Sequence, residues 1–287
     1  MRVTQSMLSN NMLRNLSASY NKMDTLQNQL PTGKKVNRPS DDPVVAMKGI
    51  GYRMQVDKVE QFQRNLGEVN NWLDNSDNAL DQVGQALHRT QELVTKAANG
   101  PLTEADQNKI KSELSQLRAQ IQDMANSKVG DKYIFSGTKT STPLHGETGY
   151  PTDDSIGFDK SVDIEVFDGV LLKVNTNALE MFKDIDDMFA SMENDDFDFN
   201  AAITTVDSNL DKVLTTRADI GARQNRVEMM TNRLSAQEGA AKKMMSENED
   251  IDYEKVITDM LTQEAIHRAA LSIGARIIQP SLVDFLR

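Results

Sequence analysis

Apolar residues recur along this chain at helical intervals, and the longest such run is its strongest signal. After Pro43, the positions Val45, Tyr52, Val59, Leu66, Leu73, Leu80, Leu87 and Val94 stand seven residues apart. Three places after the later members come Phe62, Val69, Ser76, Val83, Thr90 and Ala97. A three–four alternation held this long is the heptad seam of a coiled coil, beyond ordinary amphipathicity. A straight helix from Pro43 to Ala98 is about 80 Å long at ~1.5 Å per residue, which predicts an elongated molecule. Asn99-Gly100-Pro101 ends it.

Thr103-Glu104-Ala105-Asp106 can cap a second helix, with Ile110, Leu114, Leu117, Ile121 and Met124 at helical spacing and an end near Gly130. The short turn before it predicts antiparallel packing on the first. A third helix, from about residue 200 to 247, carries Ile203, Val206, Leu210, Val213, Ile220, Val227, Leu234, Ala241 and Met245 on one seam. Arg217, Gln224, Thr231 and Glu238 interrupt that seam. It completes a helical bundle.

The middle of the chain reads differently. Residues 132–174 are rich in Gly, Thr, Ser and Pro, and VDIEVFDGVLLKV places two β-prone runs around Asp168-Gly169, a hairpin signal. A small β-rich insert is predicted there, with a short helix at about 178–192 returning to the bundle. The fold class is therefore mainly α: an elongated antiparallel coiled-coil bundle with a β-rich insert and helical ends.

Both ends carry apolar rows. Leu13, Leu16, Tyr20, Met23 and Leu30 follow three–four spacing near the N-terminus, with Gln27 interrupting. Ile257, Leu261, Ala265, Ala269, Ile273 and Ile277 do likewise after a break at residues 250–252. Isolated helices are marginal in water, so these two either pair with each other or await partner chains. Three parts follow: 1–42 with 250–287 as terminal helical segments, 43–130 with 199–249 as bundle, and 131–198 as insert.

The first terminal helix and the bundle are joined by LPTGKKVNRPSDDPVVA, residues 30–46. Pro31 lacks a backbone donor and Gly33 accepts a left-handed helix exit. Asp42 is a good N-cap, and Pro43 suits the first helical position.

Charge adds one fact. The chain has 32 basic and 43 acidic residues, a net of −11. Residues 131–198 hold 16 acidic against 5 basic, so the whole excess sits in the insert. An acidic chain without a basic stripe argues against nucleic-acid binding. No run approaches the ~20 apolar residues of a membrane span, and the N-terminus lacks the apolar core of a removable signal peptide. With no Cys, disulfides and thiolate metal sites are excluded.

Candidate chemistry is sparse. His88, His145 and His267 are scattered, and QEAIH around His267 has one His where a zinc helix needs two. Gly49-Ile50-Gly51 lacks the third Gly of a dinucleotide loop and is expected to mark a bend or close contact. DIDDM at 184–188 and ENDDFDF at 193–199 do not match a calcium loop and read as solvated acidic surface. Ser136-Gly137 is no nucleophile elbow. The 15 Met residues read as core filling. No catalytic, metal or cofactor constellation is expected.

Two stretches resemble a known family. Residues 30–43, with Gly33, Asn37, Arg38, Asp41, Asp42 and Pro43, are similar to the flagellin signature L-S-[ST]-G-x-x-[IV]-N-x-x-x-D-D. Asp219-Ile220-Gly221-Ala222-Arg223-Gln224-Asn225-Arg226 resembles that family's C-terminal LGA-x-QNR motif. NRPSDDP in place of NSAKDDAAG, the run YIFSGTKT at 133–140, and the end QPSLVDFLR at 279–287 resemble a member standing between hook and filament. The resemblance implies a non-enzymatic extracellular axial protein, exported unfolded through the flagellar type III apparatus and held beforehand by a cytoplasmic chaperone. It implies a ring of copies above the first hook-associated protein and beneath flagellin, with the terminal helices forming an inner tube. Within it, Lys34, Lys35 and Arg38 are expected to meet acidic groups of neighbouring subunits, and the insert to face outward and be dispensable for folding. Filament flagellin itself and a soluble coiled-coil binding module are the alternatives.

Overall fold

The computed structural model describes residues 5–100, 103–146, 149–151, 157–192 and 199–277. The expectations for residues 279–287, 193–198 and Pro101 lie outside them. Among the described residues the order is α1 (Gln5–Thr32), α2 (Pro43–Asn99), α3 (Glu104–Ala125), β1 (Lys128–Val129), β2 (Lys132–Tyr133), β3 (Asp163–Phe167), β4 (Val170–Lys173), α4 (Leu179–Met192), α5 (Phe199–Glu249) and α6 (Tyr253–Ile277). The chain divides into two compact units, Val59–Ala236 and Met1–Lys58 with Gln237–Arg287. Both α2 and α5 contribute to each.

In the first unit the heptad seam of α2 is the core. Leu73, Leu80, Leu87 and Val94 have no exposed surface, nor have Val69, Ser76, Val83 and Thr90, each four places before one of them. The two polar members are satisfied locally: Ser76 donates to the Trp72 carbonyl at 2.8 Å and Thr90 to that of Ala86 at 2.9 Å. Val206, Val213, Ile220, Val227 and Leu234 of α5 supply the facing layers. The polar interruptions of α5 have a use. Arg217 reaches Asp77 at 2.9 Å and Asp81 at 2.6 Å, and Gln224 reaches Asp74 at 2.8 Å, all on α2. These contacts run in opposite directions along the two helices, which are therefore antiparallel.

Thr103 caps α3, accepting from Asp106 N at 3.3 Å while donating to its carboxylate at 2.7 Å. Arg89 binds Glu113 at 2.8 Å and ties α3 to α2. The helix stops at Ala125, short of Gly130, because residues 128–133 form a hairpin with Gly130 at φ 60. Two-residue strands carry no alternation to read, so sequence pattern missed this hairpin. The predicted one is present: β3 pairs antiparallel with β4 across Asp168-Gly169, with Gly169 at φ 69.

The insert is built into the bundle. Ile134 and Phe135 are fully buried, and Phe135 sets its ring edge-on to Phe182 of α4 at 5.2 Å between centroids. Gly137, at φ 59, is pressed against the Gly157 and Phe158 carbonyls, where no Cβ fits. α4 buries Met181, Phe182, Ile185, Met188, Phe189 and Met192. These residues share one continuous core with α2, α3 and α5. The expectation of a dispensable insert gives way to that fact.

DIDDM is likewise more than solvated surface. Asp184 pairs with Lys212 of α5 at 2.5 Å, and Asp186 with Arg118 of α3 at 2.8 Å and Gln122 at 2.8 Å. Burial pushes the Asp186 pKa up, but the Arg118 and Gln122 hydrogen bonds outweigh it and hold the carboxyl below its usual range.

Candidate assembly site

The second unit contains the motif loop and both terminal helices. α1 carries Pro31 in its last turn and ends at Thr32. Gly33 follows at φ 67, its N–H donating to the Gln29 carbonyl at 2.8 Å. The next residues make one antiparallel bridge with the end of α5, pairing Lys34 with Asp250. Lys35 N donates to the Glu249 carbonyl at 2.6 Å, and Ile251 N to that of Gly33 at 3.0 Å. Asn37 donates to the Asn28 carbonyl at 3.0 Å and folds the loop back on α1. Arg38 N donates to the Asp41 carboxylate at 3.0 Å. Asp42 then accepts from Val44 N at 3.0 Å and Val45 N at 3.1 Å, so it is the N-cap of α2, and Pro43 is that helix's first residue.

A buried charge holds this joint. Glu249, the last residue of α5, is 7% exposed. Its carboxylate takes Arg53 at 2.6 Å and Lys34 at 3.4 Å. Lys34 also donates to Asp250 at 2.6 Å. The hydrogen bond to Asp250 raises the Lys34 pKa, and those from Lys34 and Ser246 lower that of Asp250. Gly49 of α2 leaves the space that the Glu249 carboxylate fills, since a Cβ there would strike it. The close contact expected at Gly49-Ile50-Gly51 is this one. Lys34 therefore meets acids of its own chain. Lys35 donates its ammonium to the Glu247 carbonyl at 2.8 Å, while Arg38 is exposed. Sequence reading missed Glu249 and Arg53; each looks like one more surface charge on a long helix.

α1 and α6 pair with each other, antiparallel. Leu26 packs on Ile251 and Val256, with Leu30 and Met260 beside them. Gln263 bonds Ser19, the Tyr20 and His267 rings lie 6.2 Å apart, and the end of the Met12 side chain sits over Gly274. The inward positions are Met12, Leu16, Ser19, Met23, Leu26 and Leu30 on α1, and Val256, Met260, Gln263, His267, Ala270 and Gly274 on α6. Both rows alternate four and three, the coiled-coil spacing.

The expected assembly rows split. Leu16, Met23 and Leu30 are half-buried in the pair, while Leu13 and Tyr20 face outward. On α6, Ile257, Leu261 and Ile273 are each about half exposed or more, at 45%, 58% and 57%, and Ala265 and Ala269 are exposed too. Ile277 ends α6, and its side chain lies outside the described set. A row of every fourth residue advances about 40° per step around a helix, so this one winds away from α1. The true seam of α6 was hidden because Gln263, His267 and Gly274 occupy it. Ile266 and Leu271 of α6 are exposed as well, as are Val44, Met47, Ile50 and Met54 on the first turns of α2. Exposed apolar side chains of this kind make the face a candidate interaction site.

Among the described residues, no group of three His, Asp or Glu is placed to hold a metal ion, and no helix is long and apolar enough to cross a membrane.

Comparison with known proteins gives this arrangement a context. Residues 3–140 match the bacterial flagellin N-terminal helical region, and residues 203–286 the bacterial flagellin C-terminal helical region. Flagellar hook-associated protein 3 of Escherichia coli (strain K12) is 25% identical over 297 residues, 93% of each chain. Flagellin of Bacillus subtilis (strain 168) is 26% identical over 298 residues, 97% of each. A solved flagellar hook-associated protein of Vibrio parahaemolyticus matches with a TM-score of 0.65 and 25% identity, over 73% of this chain and all of that one. Bacillus cereus FlgL shares the fold, with a TM-score of 0.60 at 23% identity over 68% of this chain and 99% of its own. The matched regions take in both long heptad helices and both terminal ones, so this chain belongs to the bacterial flagellin family and is a structural protein of the flagellum.

Proposed function

We propose that this protein is a subunit of the junction between flagellar hook and filament. It forms a ring of copies on the first hook-associated protein, and flagellin assembles onto it. A cytoplasmic chaperone holds the C-terminal end until export. Residues 1–42 with 250–287 serve as the subunit's assembly segments, 43–130 with 199–249 as its bundle and 131–198 as its insert.

The observation that carries this reading is the outward apolar surface of the α1–α6 pair. Having paired, the two helices still leave Leu13 and Tyr20, and Ile257, Leu261, Ile266, Leu271 and Ile273, in water. Burying one such aliphatic side chain is worth roughly 1.5–3 kcal/mol. Several per copy, covered by neighbouring subunits, offset the loss of freedom on assembly. Likeness to flagellar hook-associated protein 3 is matched by likeness to flagellin, and the NRPSDDP loop and the YIFSGTKT run are what favour the junction over the filament. The loop's joint contributes rigidity, since Glu249 and the Lys34–Asp250 bridge hold the entry to α6 against the exit of α1.

Deleting the gene in a motile host is expected to give hooks without filaments, with flagellin in the medium. A labelled copy is expected as one band at the hook tip. Label distributed along the filament would favour the flagellin reading instead.

A further inference from the structure

The seam between α1 and α6 contains one polar layer. Ser19 and Gln263 are each 9% exposed, and the Gln263 amide donates to the Ser19 hydroxyl at 2.7 Å. His267, beside them, keeps a buried Nδ1 without a partner. Next along the seam the Met12 side chain ends over Gly274, which has no Cβ to obstruct it. In the other direction the seam is apolar, with Leu26 and Leu30 against Ile251, Val256 and Met260.

An apolar heptad seam has little to fix its register, because a slip of seven residues sets like against like. Here a slip is penalised twice. Gln263 would face Leu26, which has no acceptor, or Met12, whose thioether is only a weak one, and the buried amide would lose its hydroxyl partner. Met12 would lose the space over Gly274. A one-heptad slip moves α6 about 10 Å along α1, and every outward side chain moves with it.

We propose that the Ser19–Gln263 hydrogen bond and the Met12–Gly274 contact set the register of the two terminal helices, and so decide which combined apolar surface they offer to neighbouring subunits. The consequence for assembly rests on the junction reading; the register itself does not. A single buried polar pair that selects one alignment at some cost in stability is an established coiled-coil device.

The chain has no Cys, so crosslinks can be placed freely. In the purified full chain, Leu26→Cys with Val256→Cys reports the observed register. Met260→Cys with Leu16→Cys or with Leu30→Cys reports a slip either way, each pair standing about 10 Å out of step in the observed register, beyond the ~7 Å reach of a disulfide. With the polar pair intact, the first intramolecular disulfide is expected to exceed the others by about tenfold. In Ser19→Leu with Gln263→Leu, helicity is expected to hold and the slipped yield to rise about fivefold or more. Equal yields with the polar pair intact would overturn the proposal, as would a slipped yield unchanged by the leucines. Loss of all crosslinks in the leucine variant would also count against it, because an apolar seam should still pair. A deletion strain lacking the hook-without-filament phenotype would sink the junction reading and leave this result standing.

Discussion

Glu249 sits between Arg53 and Lys34 in space that Gly49 leaves free. Any larger residue at position 49 must displace that carboxylate. Gly49→Val is therefore expected to open the joint without unfolding the helices, and amide exchange at Lys35 and Ile251, the bridging N–H groups, should quicken by about tenfold or more. Unchanged exchange there would mean the carboxylate does not hold the bridge. Asp186 acts on a different variable. Its pKa lies below the usual value of about 3.9, so its contribution to stability is complete above that pH and lost as pH falls through the lowered value. Melting temperature in the native chain should therefore fall more steeply below about pH 4 than in Asp186→Asn. Parallel curves would show that the Arg118 pair adds no acid sensitivity.

On α6, inward and outward residues make opposite demands. Leu261 is 58% exposed, and Leu261→Asp should change monomer stability by no more than about 0.5 kcal/mol, as surface substitutions do. The same variant should fail to enter flagella, which filament counts would reveal; normal filaments would show that this face is not an assembly surface. Leu26 is 7% exposed against Ile251 and Val256. Leu26→Ala should cost about 2–3 kcal/mol, somewhat eased by the shallow site, and should loosen α1 from α6 in hydrogen exchange while leaving the heptad core of α2 protected. Leu16, which sequence spacing grouped with the outward row, belongs with Leu26 on the paired side.

For the molecule as a whole, the shared core matters most. Phe182 belongs to the insert's return helix, yet it is fully buried in the same cluster as Leu73 and Leu80 of α2. Phe182→Ala should cost about 3–5 kcal/mol. The loss should appear as a downward shift of the main calorimetric transition of the Val59–Ala236 unit. A separate early transition, with the main one unmoved, would mean that the insert folds independently of the bundle.

The sequence by itself determined the helices, the break at residues 250–252, the β3–β4 turn and the cap at Asp42. Each follows from spacing or from local backbone chemistry, and neither depends on what lies opposite. It also gave the family, through motifs at both ends. Tertiary structure alone decided what each side chain meets. Lys34 turned to Asp250 and Glu249, Arg217 and Gln224 crossed to α2, and α6 packed through Gln263 and Gly274, leaving Leu261 in water. Periodicity marks a helix face as apolar without saying whether its own chain or another will cover it. That choice depends on contacts between residues more than a hundred positions apart.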